Sequence, residues 1–84
     1  MKLVFSEKAW DDYLHWPETD RQRLIRINAL IKECLRTPFH GTGKPEPLRG
    51  DLKGFWSRRI DQEHRLVYSA SDDALTIVQC RYHY

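Results

Sequence analysis

An α+β fold, with two N-terminal helices packed on a twisted, mainly antiparallel sheet in the order β-α-α-β-β-β, is predicted by three observations. A short apolar run, Leu3-Val4-Phe5, precedes two segments of helical periodicity. A stretch rich in chain breakers then separates these from three runs rich in aromatic or β-branched residues. The whole chain has 84 residues. A chain of that size buries only about 60 to 65% of its unfolded surface, so it is read as one domain spanning residues 1–84.

Leu3-Val4-Phe5 reads as a strand ended by Ser6, whose hydroxyl can accept a backbone N–H at a helix start, with Glu7 placed against the positive helix end. Trp10, Tyr13, Leu14 and Pro17 recur at helical spacing, and Pro17 restricts Trp16 enough to predict a helix end there. Thr19 or Asp20 can cap a second helix, the main core helix, with apolar positions Leu24, Ile27, Ile31 and Leu35 supported by Ile25, Leu30 and Cys34. Pro38 stops it. From Thr37 to Gly50, three prolines and three glycines predict an irregular loop, long enough to suspect function. Leu52 to Ile60, Arg65 to Ala70 and Leu75 to Arg81 then read as an antiparallel meander. In its middle strand Leu66, Tyr68 and Ala70 alternate with Arg65, Val67 and Ser69, so one set packs under the helices and the other points outward.

Composition excludes several classes. Hydrophobic content of 40% suffices for a modest core and argues against disorder, and a net charge of +2 is far from that of a protein that coats nucleic acid by charge alone. That sum averages unlike segments, because residues 7–20 hold five acids and one cation whereas residues 21–36 hold five cations and one acid. Two cysteines, Cys34 and Cys80, make neither a disulfide framework nor a four-ligand zinc site and fit a reducing compartment. With no signal-peptide core and no run of about eighteen apolar residues, a cytoplasmic protein without membrane association is expected.

Lys44, Glu46, Arg49, Lys53, Arg58, Arg59, Arg65, Arg81, His83 and Tyr84 lie in or beside the loop and the three strands. Cations among aromatic rings suit single-stranded RNA, where charge holds phosphates and rings stack on bases. The same residues equally fit a solvated sheet face whose arginines pair with Asp61 and Glu63. Glu46, held between Pro45 and Pro47, is a carboxylate on a locally rigid backbone that could take a proton from a sugar hydroxyl, although taken alone it reads as a surface glutamate. Gly41-Thr42-Gly43-Lys44 has the wrong spacing for a phosphate loop. His83 is the strongest single clue: terminal residues usually fray, and histidine can donate a proton near neutral pH, the competing reading being a half-buried ring packed by tyrosines. Cys80 with His83 lacks further metal ligands, and Cys80 in an apolar run is no nucleophile. His15, His40 and His64 read as helix-face, loop and turn residues.

Gly43-Lys44-Pro45-Glu46-Pro47-Leu48, Gly54-Phe55-Trp56-Ser57-Arg58-Arg59-Ile60, Glu63-His64-Arg65-Leu66-Val67-Tyr68 and the ending Cys80-Arg81-Tyr82-His83-Tyr84 together closely resemble the YoeB family within the RelE/ParE superfamily of bacterial toxin–antitoxin toxins. The likeness runs from Met1 to Tyr84 without a gap and includes Trp10-Asp11-Asp12-Tyr13. It implies a RelE-like fold and an mRNA endonuclease that works in the ribosomal decoding site with no metal or other cofactor. In the roles it implies, Glu46 is general base on the ribose 2′-hydroxyl, Arg65 stabilises phosphate charge, His83 is general acid and Tyr84 supports the substrate. Lys44, Arg49, Arg58 and Arg59 would then position phosphates, with Phe55 and Trp56 divided between core and base contact. The resemblance also implies a YefM-like antitoxin with which the toxin represses its own promoter, rRNA and mRNA as partners, and a homodimer. Pro17 and Arg49 depart from the family pattern without touching the implied acid, base or phosphate clamp. The competing class is a non-catalytic toxin like ParE, which inhibits DNA gyrase and has no need to assemble Glu46, Arg65 and His83. A plain RNA-binding module would keep the basic face alone.

Overall fold

The computed structural model describes residues 1–83; Tyr84 lies outside the described residues. Strand β1 (Lys2–Phe5) leads into helix α1 (Glu7–Thr19) and helix α2 (Arg21–Cys34), followed by β2 (Glu46–Pro47), a 3-10 turn (Gly50–Leu52), β3 (Trp56–Arg59), β4 (Arg65–Ala70) and β5 (Ala74–Gln79). The strands form one mixed sheet in the order β1-β5-β4-β3-β2, antiparallel except for the parallel pair β1 and β5. Both helices cover the same face of this sheet. Ala9 and Trp16 of α1 and Ile27, Leu30, Ile31 and Cys34 of α2 share a core with Leu66, Tyr68, Leu75 and Ile77.

Ser6 caps α1 by accepting the Ala9 N–H at 3.1 Å. The helix does not end at Trp16 as the sequence predicts but runs through Pro17 to Thr19. Proline removes one intrahelical bond in the last turn, and the anchoring of Trp16 outweighs that loss. Trp16 is buried and its indole N–H donates to the Cys80 carbonyl at 3.0 Å. Asp20, in extended conformation, joins the helices: its N–H donates to Trp16 O at 2.9 Å, and its carboxylate caps α2 by accepting the Arg23 N–H at 3.1 Å. Ile25, expected to support the core, is 62% exposed on the outer side of α2.

The breaker-rich segment holds a strand the sequence does not predict. Glu46 pairs with Ser57 and Pro47 with Trp56, and the Leu48 N–H extends the contact to Phe55 O at 2.9 Å. Proline is tolerated there because β2 is an edge strand. The meander is correspondingly shorter than expected. Lys53 and Phe55 direct their N–H groups to Gly50 and Leu52 in local turns, and the Cys80 N–H turns to the Asp12 carboxylate at 3.1 Å. Along β4 the register with β5 shifts by one residue between Val67, opposite Gln79, and Tyr68, opposite Ile77.

Arg58 organises the loop before β2. It is fully buried, and all five guanidinium N–H donors are engaged. Nε donates to the Tyr68 hydroxyl at 3.1 Å; Nη1 donates to Glu33 at 2.7 Å and Thr42 O at 3.1 Å; Nη2 donates to Thr37 O and to His40 O at 3.0 Å. The Tyr68 hydroxyl in turn donates to Pro38 O at 2.6 Å. Burial, only partly opposed by Arg58, pushes the Tyr68 phenol up to about 12, so it stays a neutral donor. The two loop glycines follow from this wrapping. Both have positive φ, and a Cβ at Gly41 would lie 1.9 Å from the Glu33 carboxylate, while one at Gly43 would meet Arg58 Cβ at 3.1 Å.

Arg58→Leu should lower unfolding free energy by about 3 kcal/mol or more in urea denaturation, because several carbonyls, a hydroxyl and Glu33 lose their donor together. A loss below about 1 kcal/mol would contradict this role.

The Thr42 N–H, then the Thr42 hydroxyl and Arg58, hold the Glu33 carboxyl below its ordinary value of 4.5. Burial alone would raise Asp61, but the N–H groups of His64 and Glu63 and the Arg23 guanidinium together hold it low as well. The unfolded chain therefore takes up these protons first. The stability these groups contribute is complete at neutral pH and is lost as pH falls below about 4.5. Urea midpoints measured across that range should fall less steeply in Glu33→Gln than in the wild type.

Candidate active site

Three of the candidate residues, Glu46, Arg59 and Arg65, lie on the sheet face away from the helices. Side chains alternate along a strand, and directly paired residues share a face. Trp56, Leu66 and Tyr68 pack toward the helices, so Ser57, Arg59, Arg65 and Val67 take the other side. Glu46 pairs with Ser57, which pairs with Val67, which pairs with Gln79, giving one row across β2, β3, β4 and β5. Arg59 pairs with Arg65 one step along that face. Glu46 on β2 and Arg65 on β4 are two strand spacings apart laterally, roughly 10 Å, a span that their side chains can bridge around a phosphodiester.

Arg65 is aimed by its neighbours: its Nη1 donates to the Asp61 carbonyl at 2.6 Å and the His64 carbonyl at 3.1 Å. Arg59 is exposed. Like charges directly opposite on adjacent strands repel, a cost that an anion between them would offset. Glu46 and Arg49 line an open depression of about 470 Å³ together with Pro47 and Leu48. Lys44 is exposed at the loop exit, with φ 52. Arg58 is the exception among the predicted phosphate-binding cations. Its side chain lies on the helix side of β3 with no exposed surface and all its donors bound to protein, so it is corrected from a phosphate contact to a loop anchor.

The C-terminal segment returns alongside β4. Tyr82 takes a left-handed conformation, φ 66, and its carbonyl accepts the Arg65 N–H at 3.0 Å and the Gln79 side-chain amide at 3.2 Å. Its own N–H donates to His64 Nδ1 at 2.7 Å. His83, exposed, starts one residue beyond this junction, about 3.8 Å along the chain. Tyr84, predicted to support the substrate, falls outside the described residues. Phe55 is half-buried, and Trp56 packs against the core and against Phe39 at 4.8 Å between ring centroids.

Sequence reasoning missed His64, which reads as a turn residue yet is buried against Trp16, and Gln79, whose face depends on the register shift. No spacing pattern marks either one. The Cys80 thiol, pushed up to about 12 by burial and by the Asp12 carboxylate, is as inert as its apolar surroundings predict. A second depression of about 460 Å³ lies at β1, α1 and α2, lined mainly by Leu3, Phe5, Trp10, Tyr13, Ile31 and Leu35. It offers no acid–base pair. Among the described residues no group of His, Cys, Asp and Glu is arranged to hold a metal ion, and no helix is long and apolar enough to cross a membrane.

A family model described as the YoeB-like toxin of bacterial type II toxin–antitoxin systems matches residues 5–84. Toxin YoeB of Escherichia coli strain K12 is 63% identical over 84 residues, covering both chains completely. Among solved structures, the YoeB/ParE toxin from Agrobacterium tumefaciens is 53% identical with a TM-score of 0.96 and complete coverage of both chains. A YoeB dimer and a heterotetrameric YoeB–YefM toxin–antitoxin complex from Staphylococcus aureus are each 41% identical, with TM-scores of 0.92 and 0.91 and coverage of 100% of this chain and 98% of theirs. Family match, full-length identity and shared fold agree: the chain belongs to the YoeB-like toxins of bacterial type II toxin–antitoxin systems.

Proposed function

We propose that this toxin is a ribosome-dependent endoribonuclease that cuts mRNA in the ribosomal A site and so inhibits translation. One observation carries the reading: Glu46, Arg59 and Arg65 share one sheet face, and the segment leading to His83 is hydrogen-bonded to the Arg65 backbone. In the proposed reaction Glu46 takes the proton from a ribose 2′-hydroxyl, whose oxygen attacks the adjacent phosphorus. Arg65 meets the charge that builds on the phosphoryl oxygens. The bond to the 5′-oxygen breaks, and that oxygen takes a proton from His83. The products are a 2′,3′-cyclic phosphate and a 5′-hydroxyl, with no metal or cofactor in any step.

Lys44, Arg49 and Arg59 hold neighbouring phosphates, and Tyr84 supports the substrate at the cut. The whole chain acts as one toxin domain in the cytoplasm. Its size suits an enzyme whose substrate is aligned by the ribosome, with the basic outer side of α2 meeting rRNA. A YefM-like antitoxin is the proposed partner, together with a second copy of the toxin, on the support of the Staphylococcus aureus assemblies. The toxin–antitoxin pair represses its own operon.

Purified toxin should cut message on translating ribosomes and leave free mRNA intact, as read by mapping 3′ ends. Glu46→Gln and His83→Ala should each slow cleavage by about 100-fold or more while ribosome binding persists. Full activity in both variants would refute the acid–base assignment. Growth arrest with intact mRNA and inhibited gyrase would instead favour a ParE-like activity.

A further inference from the structure

We propose that His64 is the positioning residue of this site: in its neutral form it clamps the C-terminal segment by accepting the Tyr82 N–H, and its protonation releases that segment and His83 with it. The inference rests on the proposed role of His83 as general acid.

The hydrogen bond is long-range and enclosed. His64 Nδ1 accepts the Tyr82 N–H at 2.7 Å across eighteen residues of sequence, on a side chain only 9% exposed. A neutral imidazole has one acceptor nitrogen, so acceptance at Nδ1 puts the proton on Nε2. Nε2 lies 3.4 Å from Glu63 Oε1, the carboxylate suited to receive that N–H. Packing leaves the ring little room to turn. Trp16 of α1 meets it edge to face at 4.8 Å, and the Tyr82 ring lies 5.8 Å away. The backbone N–H of His64 is held by the Asp61 carboxylate at 2.7 Å, which also accepts from Arg23 of α2.

One junction thereby sets two proposed functional groups. The same tight turn at Tyr82 gives its N–H to His64 and receives the N–H of Arg65. Arg65 is aimed by the carbonyls of Asp61 and His64, and His83 departs from the other side of Tyr82. The left-handed Tyr82 backbone, φ 66, is strained for a residue with a Cβ and persists only where its surroundings impose it. Loss of the His64 acceptor removes one of the bonds that impose it. A second proton on His64 would set an Nδ1–H against the Tyr82 N–H, donor facing donor, and the clamp would open.

The charged and titratable groups that face His64 are Glu63 and Asp61 of its own turn, Arg65, the Arg81 guanidinium 4.5 Å from the Tyr82 ring, and Arg23 paired with Asp61. His15, beside Trp16 on α1, adds charge only when itself protonated. The clamp therefore predicts an acid limb in the cleavage profile that belongs to His64 and is separate from any limb due to Glu46.

Two variants separate positioning from bulk structure. His64→Asn keeps an acceptor, its Oδ1, near the place of Nδ1 and does not titrate, whereas His64→Leu offers no acceptor. Ribosome-dependent cleavage is to be followed between about pH 5 and 8, with amide exchange of Tyr82 measured by NMR on the full-length toxin. His64→Leu should lower kcat at least about tenfold with KM for the ribosome little changed. His64→Asn should retain most of the activity at neutral pH and move the acid limb to lower pH. The wild-type Tyr82 amide should be protected at neutral pH and lose protection as His64 protonates, while core amides stay protected. Unchanged cleavage and unchanged Tyr82 protection in His64→Leu would overturn the clamp. Should no form of the protein cut ribosome-bound message, the proposed function fails, and Tyr82 exchange still decides for or against the clamp.

Discussion

A buried arginine with every donor used is the constraint on which the site depends. Withdrawing a guanidinium from water costs several kcal/mol, and the cost is met only when geometry and partners are complete. Around Arg58 they are: a carboxylate from α2, a phenol from β4 and three loop carbonyls converge on one planar group. Few alternative paths for residues 37–43 satisfy all five bonds at once. The contribution is to uniqueness as much as to stability, since a partial set would leave a charge stranded in the core.

What that fixes is the entry to β2. The Arg59 N–H donates to Gly43 O at 2.7 Å, and the chain then turns through Lys44 into the pair Glu46–Ser57. The backbone of a carboxylate in a glycine- and proline-rich segment is thus held by contacts made on the opposite face of the sheet. The other end of the site is held differently. Trp16 and Asp12 of α1 receive the backbone of Cys80, and His64, Arg65 and Gln79 receive Tyr82. The strand spacing of the sheet sets the distance between the two ends, and each end has its own anchor off the sheet. A small protein can in this way hold a candidate site on a loop and on the segment that follows its last strand.

Periodicity and capping chemistry carried most of the fold. Ser6, Asp20 and the Ile27-Leu30-Ile31-Cys34 stripe lie where local rules put them, and so does β4 from Arg65 to Ala70. The rules failed where tertiary contacts override local preference. Pro17 stays helical because Trp16 is anchored to Cys80, and β2 is two residues long with a proline, below any pattern's reach. Arg58 reads as a surface residue because arginine is almost never fully buried. Alternation along β3 held the warning, since Arg58 falls in phase with Trp56 and out of phase with Ser57 and Arg59. His64 carried no such signal. The role of its ring depends on a strand register and a tail conformation that the residues Glu63-His64-Arg65 do not encode locally.

The proposed chemistry makes the substrate supply its own nucleophile, and that is where it can be tested most directly. A message bearing a single 2′-deoxy nucleotide at the mapped cut site, loaded in the ribosomal A site, presents the toxin with an unchanged phosphate and no attacking hydroxyl. Single-turnover cleavage of that message should vanish while the all-ribose control is cut and toxin still binds the complex. Cleavage of the deoxy message at the control rate would contradict the account, because Glu46 would have no proton to remove and the phosphate would be attacked by something else.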